Sequence, residues 1–222
     1  KAYKNLYLVG TSHIAKQSIF EVEHIINKEK PSIVALELDK VRFNVLVSGE
    51  RGRIQLKYVK LIGLKGYLFA KIGEYAEHKL GKYVGVSPGS EMIKASEVAK
   101  KNNAKIALID QKIEITLKNF SKEITWKEKF RFGYDTIKQL VKREKIKIDL
   151  NKVPPQELIN KMLKQVKCRY PNFYKVLIGD RNKFMAKKLF VLMKGYDKIV
   201  AVVGAGHEEE IIEDIKKLER AN

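Results

Sequence analysis

The sequence has very little cysteine and lacks any long apolar run. Its 222 residues include one cysteine, Cys168, which excludes a disulfide within the chain and a cysteine-based zinc cluster. No stretch of about 18 uncharged apolar residues occurs, so no segment is predicted to span a membrane. The first residues lead into a strand-like segment rather than an apolar signal stretch. Because Lys1 takes the place of a methionine, we expect a fragment of a longer protein.

Acidic residues are also few compared with basic ones. Lys and Arg number 45 against 26 Asp and Glu, a net charge of +19, and 45% of the residues are hydrophobic, as in a globular domain. Residues 118–194 hold 21 Lys and Arg against 7 Asp and Glu, or +14 of that charge. This basic region is either a solvated helical face or a surface for anionic lipid or nucleic acid. No nucleic-acid-binding motif accompanies it, so no nucleic-acid partner is predicted.

Four short apolar runs, each closed by glycine or a polar residue, predict buried strands. They cover residues 5–9, 33–38, 105–109 and 198–203. Helical patterns cover residues 16–28, 40–47, 90–101 and 208–220. A basic, nearly all-helical stretch runs from 113 to 193, with breaks at Pro154-Pro155 and Pro171. Residues 54–82 are mostly helical in pattern and predict either a core-packing hairpin or a helix on a membrane or partner.

The alternation of strands and helices predicts an α/β fold with a central, mainly parallel sheet flanked by helices. We expect one domain over residues 1–222, with a basic helical insertion at about 113–194 before the last strand. Ligands bind beyond the carboxyl ends of such strands, so the residues that follow each strand are the candidates for a site.

Two of the predicted strands end in the same Gly-x-x-His pattern, which places His13 and His207 after sharp backbone turns. The others end at Glu37-Leu38-Asp39 and at Asp110. Two histidines with Glu37 or Glu91 would form a set that binds Zn²⁺, Mn²⁺, Fe²⁺ or Co²⁺ with open positions for water and substrate. The alternative is that each histidine caps a helix or satisfies a local hydrogen bond.

The turn after the last strand also contains Gly204-x-Gly206, a partial dinucleotide-binding pattern. The third glycine of that fingerprint would fall at Glu209, and the acidic residues 208–210 would repel a pyrophosphate. A dinucleotide site is therefore not predicted. Cys168 has no histidine near it in sequence, which disfavours a role as nucleophile.

Several segments together resemble the TraB/PrgY family, which belongs with the TIKI proteins in one superfamily. They are residues 8–13, 34–39 with Arg42, 88–92, 109–110 with Ile113, and 202–207. A further segment, residues 179–182, resembles the Arg-Asp segment of the family. Either the order is reversed here, as Asp180-Arg181, or Asn182 takes the acidic position of the family pattern, and Arg181 matches that pattern in both cases. The resemblance covers nearly the whole chain.

This resemblance implies a metal-dependent activity on peptides. TIKI proteins are proteases whose paired GxxH motifs hold a metal, and PrgY-type members limit the activity of a peptide pheromone. Carried over by position, His13 and His207 would be metal ligands, and Glu37 a ligand or general base. Glu91 and Arg181 would be site residues. The cofactor would be a divalent Mn, Co, Fe or Zn ion.

The resemblance also bears on substrate binding and on location. Arg42 and Asp110 are the candidates for contacting a peptide or protein substrate. TraB-type members often carry a C-terminal membrane region that this chain lacks. The full-length protein would then be membrane-associated, with this chain as its soluble domain.

Two functions follow as expectations. In the first, metal-activated water hydrolyses a peptide bond, Glu37 or Glu91 takes the proton, and Arg181 stabilises the oxyanion. In the second, the pocket binds and sequesters a peptide without cutting it. The basic helical region could serve as a lid, as the arm of a homo-oligomer or as a platform facing a membrane surface.

Overall fold

A computed structural model gives the structure of residues 1–12, 16–49, 59–60, 63, 67, 71, 89–142 and 153–221. Five strands form one sheet. They are β1 (Ala2–Tyr3), β2 (Leu6–Thr11), β3 (Ile33–Leu36), β4 (Lys105–Leu108) and β5 (Ile199–Gly204). The strand order is β1-β2-β5-β3-β4, with β2, β5, β3 and β4 mutually parallel and β1 antiparallel to β2. The predicted α/β fold with a mainly parallel sheet is confirmed.

The helices lie where the sequence patterns predict them, within a few residues. They are α1 (Lys16–Glu29), α2 (Lys40–Ser48), α3 (Ser90–Lys101), α4 (Ile113–Glu123), α5 (Trp126–Lys142), α6 (Gln156–Arg169), α7 (Pro171–Tyr174), a π-helical turn (Lys175–Gly179), α8 (Asp180–Gly195) and α9 (Glu208–Arg220). Both proline breaks are present, since α6 begins after Pro155 and α7 begins at Pro171. Most of the predicted helical stretch at 54–82 lies outside the described residues.

Helices cover both faces of the sheet. On one face, α8 and α9 pack apolar side chains such as Met185 and Ile211 against alternate residues of β2, β3 and β5. On the other face, α1 and α3 pack Val22 and Met92, among others, against the intervening strand residues. All six residues of β5 are buried, because this strand lies between β2 and β3 with helices on both sides.

Short connections determine which ends of the helices lie near the ends of the strands. Residues 102–104 join the end of α3 to the start of β4, and residues 196–198 join the end of α8 to the start of β5. The N-terminal ends of α3 and α8 therefore lie at the carboxyl edge of the sheet. The helices α2 and α9 begin at that same edge, directly after β3 and β5. Among the described residues, no helix is both long enough and apolar enough to cross a membrane.

Candidate functional site

Glu37 lies at the centre of a polar cluster at the carboxyl edge of β3 and β5. Its side chain is 2% exposed. Glu37 Oε2 accepts a 2.6 Å hydrogen bond from the backbone N–H of Gly204 at the end of β5. Glu37 Oε1 accepts from Arg181 Nη2 and lies 3.4 Å from His207 Nε2. Parallel pairing of β3 with β5, and the start of α8 at this edge, thus bring three predicted site residues together.

Asp110 joins the two arginines of the cluster. Its carboxylate accepts from Arg181 Nε at 3.1 Å and Nη2 at 2.7 Å, and also from Arg42 Nη2. Arg42 Nε in turn donates to Asp39 Oδ2 at 2.8 Å. The result is a chain of alternating carboxylates and guanidinium groups along the edge. Both candidates for substrate binding, Arg42 and Asp110, are therefore engaged with other protein side chains.

Burial and neighbouring charges shift the pKa values of Asp110 and Arg181 in opposite directions. Burial by itself would raise the pKa of Asp110, but the hydrogen bonds and charge of Arg181, followed by the charge of Arg42, hold it below its usual value. Burial would lower the pKa of Arg181, and the charges of Glu37 and Asp110 outweigh that effect and raise it. The ion pair between Asp110 and Arg181 thus stabilises the charged form of both of these partners.

A second set of hydrogen bonds orients His207. Its Nδ1 lies 2.5 Å from Asn182 Oδ1, and Asn182 Nδ2 donates to Glu210 Oε2 at 2.8 Å. Because a carboxylate can only accept, Glu210 determines which end of the Asn182 amide faces the imidazole. The amide oxygen then requires a proton on His207 Nδ1. In the neutral imidazole, Nε2 therefore carries the lone pair, and it faces Glu37.

The phenol of Tyr174 completes this set by donating to Glu210 Oε1. Burial would raise the pKa of Glu210, but the hydrogen bonds from Tyr174 and Asn182 lower it. Burial and the hydrogen bond to Glu210 raise the pKa of Tyr174. Glu210 is therefore held as a carboxylate, which keeps Asn182 and His207 in their orientations.

The residues that precede His13 are fixed by hydrogen bonds to α1 and by close contact with the Glu208 side chain. The Ser18 hydroxyl accepts from the Ser12 backbone N–H at 2.9 Å and donates to the Ser12 carbonyl at 3.1 Å. A Cβ atom on Gly10 would lie 2.5 Å from Glu208 Cδ and 3.0 Å from Ala205 Cα, so the buried Glu208 side chain occupies the space that a larger residue would need. His13 itself lies outside the described residues, and its role as a metal ligand stays a prediction.

Glu91 is also buried, with 1% of its surface exposed, in the first turn of α3. The direction of α3 places it at the same edge of the sheet as Glu37. Within the described residues, no group of three or more His, Cys, Asp and Glu side chains could hold a metal ion. His207 Nε2 and Glu37 Oε1 supply two suitable donors. These two donors are of a type that suits a metal ion, which would need a third donor, and His13 is the residue predicted for that role.

Comparison with known proteins gives the family. The sequence model of the TraB/PrgY/gumN family matches residues 1–220 of this chain. The chain belongs to the TraB/PrgY/gumN family. An uncharacterised protein of Methanocaldococcus jannaschii is 40% identical over 222 residues, which cover 98% of this chain and 55% of that protein. TraB domain-containing proteins of Mus musculus and Homo sapiens are each 23% identical, over 91% of this chain and 60% of their own length. The chain thus spans little more than half the length of these relatives.

The resemblance to this family is confirmed, but the motifs that indicate it do not include every residue of the cluster. The sequence pattern gives Asn182 only as a residue at the acidic position of the family motif, and Glu210 only as one of three acidic residues at a helix start. One signal was available: Asn182 shares a helical face with the buried apolar residues Met185, Ala186 and Leu189. A polar residue at such a position requires hydrogen-bond partners. The partner Glu210, 28 residues later, follows from tertiary packing alone.

Proposed function

We propose that this member of the TraB/PrgY/gumN family is a metal-dependent hydrolase of peptide bonds. The observation that carries the proposal is the orientation of His207, whose Nε2 faces Glu37 Oε1 at 3.4 Å while Asn182 holds Nδ1. A metal-ligating histidine in proteins commonly has its second ring nitrogen held by such an oxygen. Structural histidines that only cap a helix do not need a carboxylate at Nε2.

The ligands would be His13, His207 and Glu37, two imidazoles and one carboxylate. Such nitrogen and oxygen donors suit Mn, Fe, Co or Zn. When bound there, the cation supplies Lewis acidity and lowers the pKa of water for attack on a peptide carbonyl.

The other residues of the cluster would position the Glu37 ligand, accept a proton and stabilise developing negative charge. The Gly204 N–H and Arg181 hold the Glu37 carboxylate in place. Glu91, buried at the same edge, is the carboxylate that would accept a proton from water. Arg181 Nη1 donates at 3.2 Å to the Leu177 carbonyl on the exposed side of the cluster, so this nitrogen is the one that would stabilise an oxyanion.

The test is metal content after purification without chelators or a histidine-rich tag. We expect close to one equivalent of metal in the unmodified protein, and its loss in His13→Ala and in His207→Ala. His24→Ala is the matched control, because His24 is an exposed residue of α1. Metal retained by the double variant His13→Ala/His207→Ala would refute the ligand set. With metal bound, cleavage of a peptide library followed by mass spectrometry tests the hydrolase activity.

One observation favours a second function, binding of a peptide without cleavage. Arg181 pairs with both Glu37 and Asp110, so protein groups alone compensate these buried carboxylates. A sequestering module needs no metal to maintain such a site. The mass of a bound peptide separates the two functions, since a sequestering protein releases it intact while a hydrolase releases fragments.

A further inference from the structure

Among the residues that the structure describes, helix α5 packs against α6 and α7 through one face. Glu128 is 4% exposed, and its carboxylate accepts from the Asn172 backbone N–H at 2.8 Å and from its amide nitrogen at 2.9 Å. Phe132 stacks on Phe173 with ring centroids 5.6 Å apart. Asp135 lies one turn further along the same face, where Arg169 pairs with its carboxylate through two 2.5 Å hydrogen bonds.

The outward face of α5, which we define by Trp126, Phe130 and Tyr134, is rich in exposed aromatic side chains. Their exposed fractions are 59%, 73% and 65%. The three residues are spaced by four, so they form a stripe along the helix. Each lies two positions from Glu128 or Phe132, a rotation of roughly 200°, which directs the stripe away from the packed face.

The described charged residues on this outward face are all basic. Lys127, Lys129 and Lys138 are exposed beside the aromatic stripe, and the Lys129 ammonium lies 4.9 Å from the centre of the Trp126 ring. Glu128 and Asp135, which are the acidic residues of α5, both lie on the packed face. The outward face therefore combines aromatic rings and lysines without carboxylates among its described residues.

We propose that the outward face of α5 docks on the surface of a lipid bilayer that contains anionic headgroups. Lysines near such a surface are attracted to it, and aromatic side chains of an amphipathic helix enter the boundary between headgroups and acyl chains. A second copy of the chain would meet this face with the same positive charge, which opposes association. The inference is independent of the proposed hydrolase activity and uses none of the residues of the Glu37 cluster.

Trp126 is the single tryptophan of the chain, so its fluorescence reports on this face directly. We expect its emission to shift to shorter wavelength when vesicles of phosphatidylcholine and phosphatidylglycerol are added. Vesicles of phosphatidylcholine alone should produce little change. Lipids brominated on the acyl chain should quench the emission, because quenching requires the indole to reach the acyl-chain boundary.

Two variants separate the contributions of charge and aromatic insertion. Lys127→Glu/Lys129→Glu should weaken partitioning to anionic vesicles by at least about tenfold. Phe130→Ser should weaken it as well and reduce the quenching. The matched controls are Lys100→Glu/Lys101→Glu on α3 and Phe20→Ser on α1, which change exposed residues elsewhere and should leave binding near the unmodified value. Circular dichroism verifies that each variant is folded.

Three results would overturn the proposal. One is the lack of any Trp126 shift with anionic vesicles. Another is a shift that the α5 variants and the control variants reduce equally, because binding would then depend on total charge. The third is tighter binding to a single-stranded oligonucleotide than to vesicles, since aromatic stripes with lysines also bind nucleic-acid bases.

Discussion

Replacing Asp110 by asparagine tests whether the ion-pair network at the strand ends stabilises the fold. The substitution keeps the size of the side chain and removes its charge. Asp110 is 1% exposed and pairs with Arg181, which is 17% exposed, and with Arg42, which is 32% exposed. Removing one partner of a buried ion pair typically costs about 3–5 kcal/mol, because the other charge stays buried without compensation.

Two features of the network place the expected loss at the lower end of that range. Arg181 retains its pair with Glu37, and solvent screens part of the Arg42 interaction. We therefore expect the free energy of unfolding to fall by about 3 kcal/mol. For a chain of this length, that corresponds to a decrease in Tm of roughly 6–12 °C.

Urea unfolding followed by circular dichroism measures this change. Asp214→Asn is the matched control, because Asp214 pairs at 2.7 Å with Lys217, whose side chain is 68% exposed. That control should change the free energy of unfolding by less than about 0.5 kcal/mol. Equal effects of the two substitutions, or a loss below about 1 kcal/mol for Asp110→Asn, would refute the argument.

The same network predicts a dependence on pH. The pKa of Asp110 is lower in the folded protein than in the unfolded chain, where it is near 3.9. Its stabilising contribution is therefore complete above that value and is lost as the pH falls through the folded pKa. The difference in unfolding free energy between the unmodified protein and Asp110→Asn should be constant near neutral pH and should shrink below about pH 4. A difference that grows on acidification would contradict the reasoning.

Three further predictions concern glycine and capping positions, each measured by urea unfolding. Gly10→Ala should destabilise the protein by about 1–3 kcal/mol, because the new Cβ would lie 2.5 Å from Glu208 Cδ in a buried position. Gly133→Ala should instead stabilise it by about 0.5–1 kcal/mol, since a Cβ at this helical site meets no atom within 4 Å; a loss there would show an unrecognised contact. Asp39→Ala should cost at least about 1 kcal/mol, because Asp39 caps α2 by accepting from two backbone N–H groups, and Asp39→Asn should retain most of that cap.

Sequence patterns predicted strands and helices correctly where the local apolar pattern agrees with burial in the fold. The strand at 33–38 was predicted from its apolar run, and β3 (Ile33–Leu36) is completely buried. The prediction for 90–101 matches α3, in which Met92 and Val98, two of the apolar residues behind the prediction, are buried. For Glu37 and His207, the rule that parallel strands place ligands at their carboxyl ends was sufficient to predict proximity. Arg181, which lies on a helix, was assigned to the site only through the family resemblance.

Sequence patterns could not predict the ion pairs inside the Glu37 cluster. The spacing of residues along the chain gives no information on which carboxylate pairs with which guanidinium. Asp110 was a candidate for contacting substrate, yet its carboxylate binds Arg42 and Arg181. That pairing depends on the adjacency of β3 and β4 and on the direction of α8, both of which are set by long-range packing.

The sequence by itself determined the family, the order of the four longer strands and of the described helices, and the residues that follow each of those strands, because these depend on local motifs and on the periodicity of apolar residues. The short strand β1 was not predicted. The tertiary structure decided that β5, last in the chain, lies between β2 and β3, and so brought His207 beside Glu37. It also decided which face of α5 is packed and which is exposed, because side chains from α6 and α7 contact one face of that helix. Contacts between residues distant in the chain depend on the packing of whole elements, which no local pattern specifies.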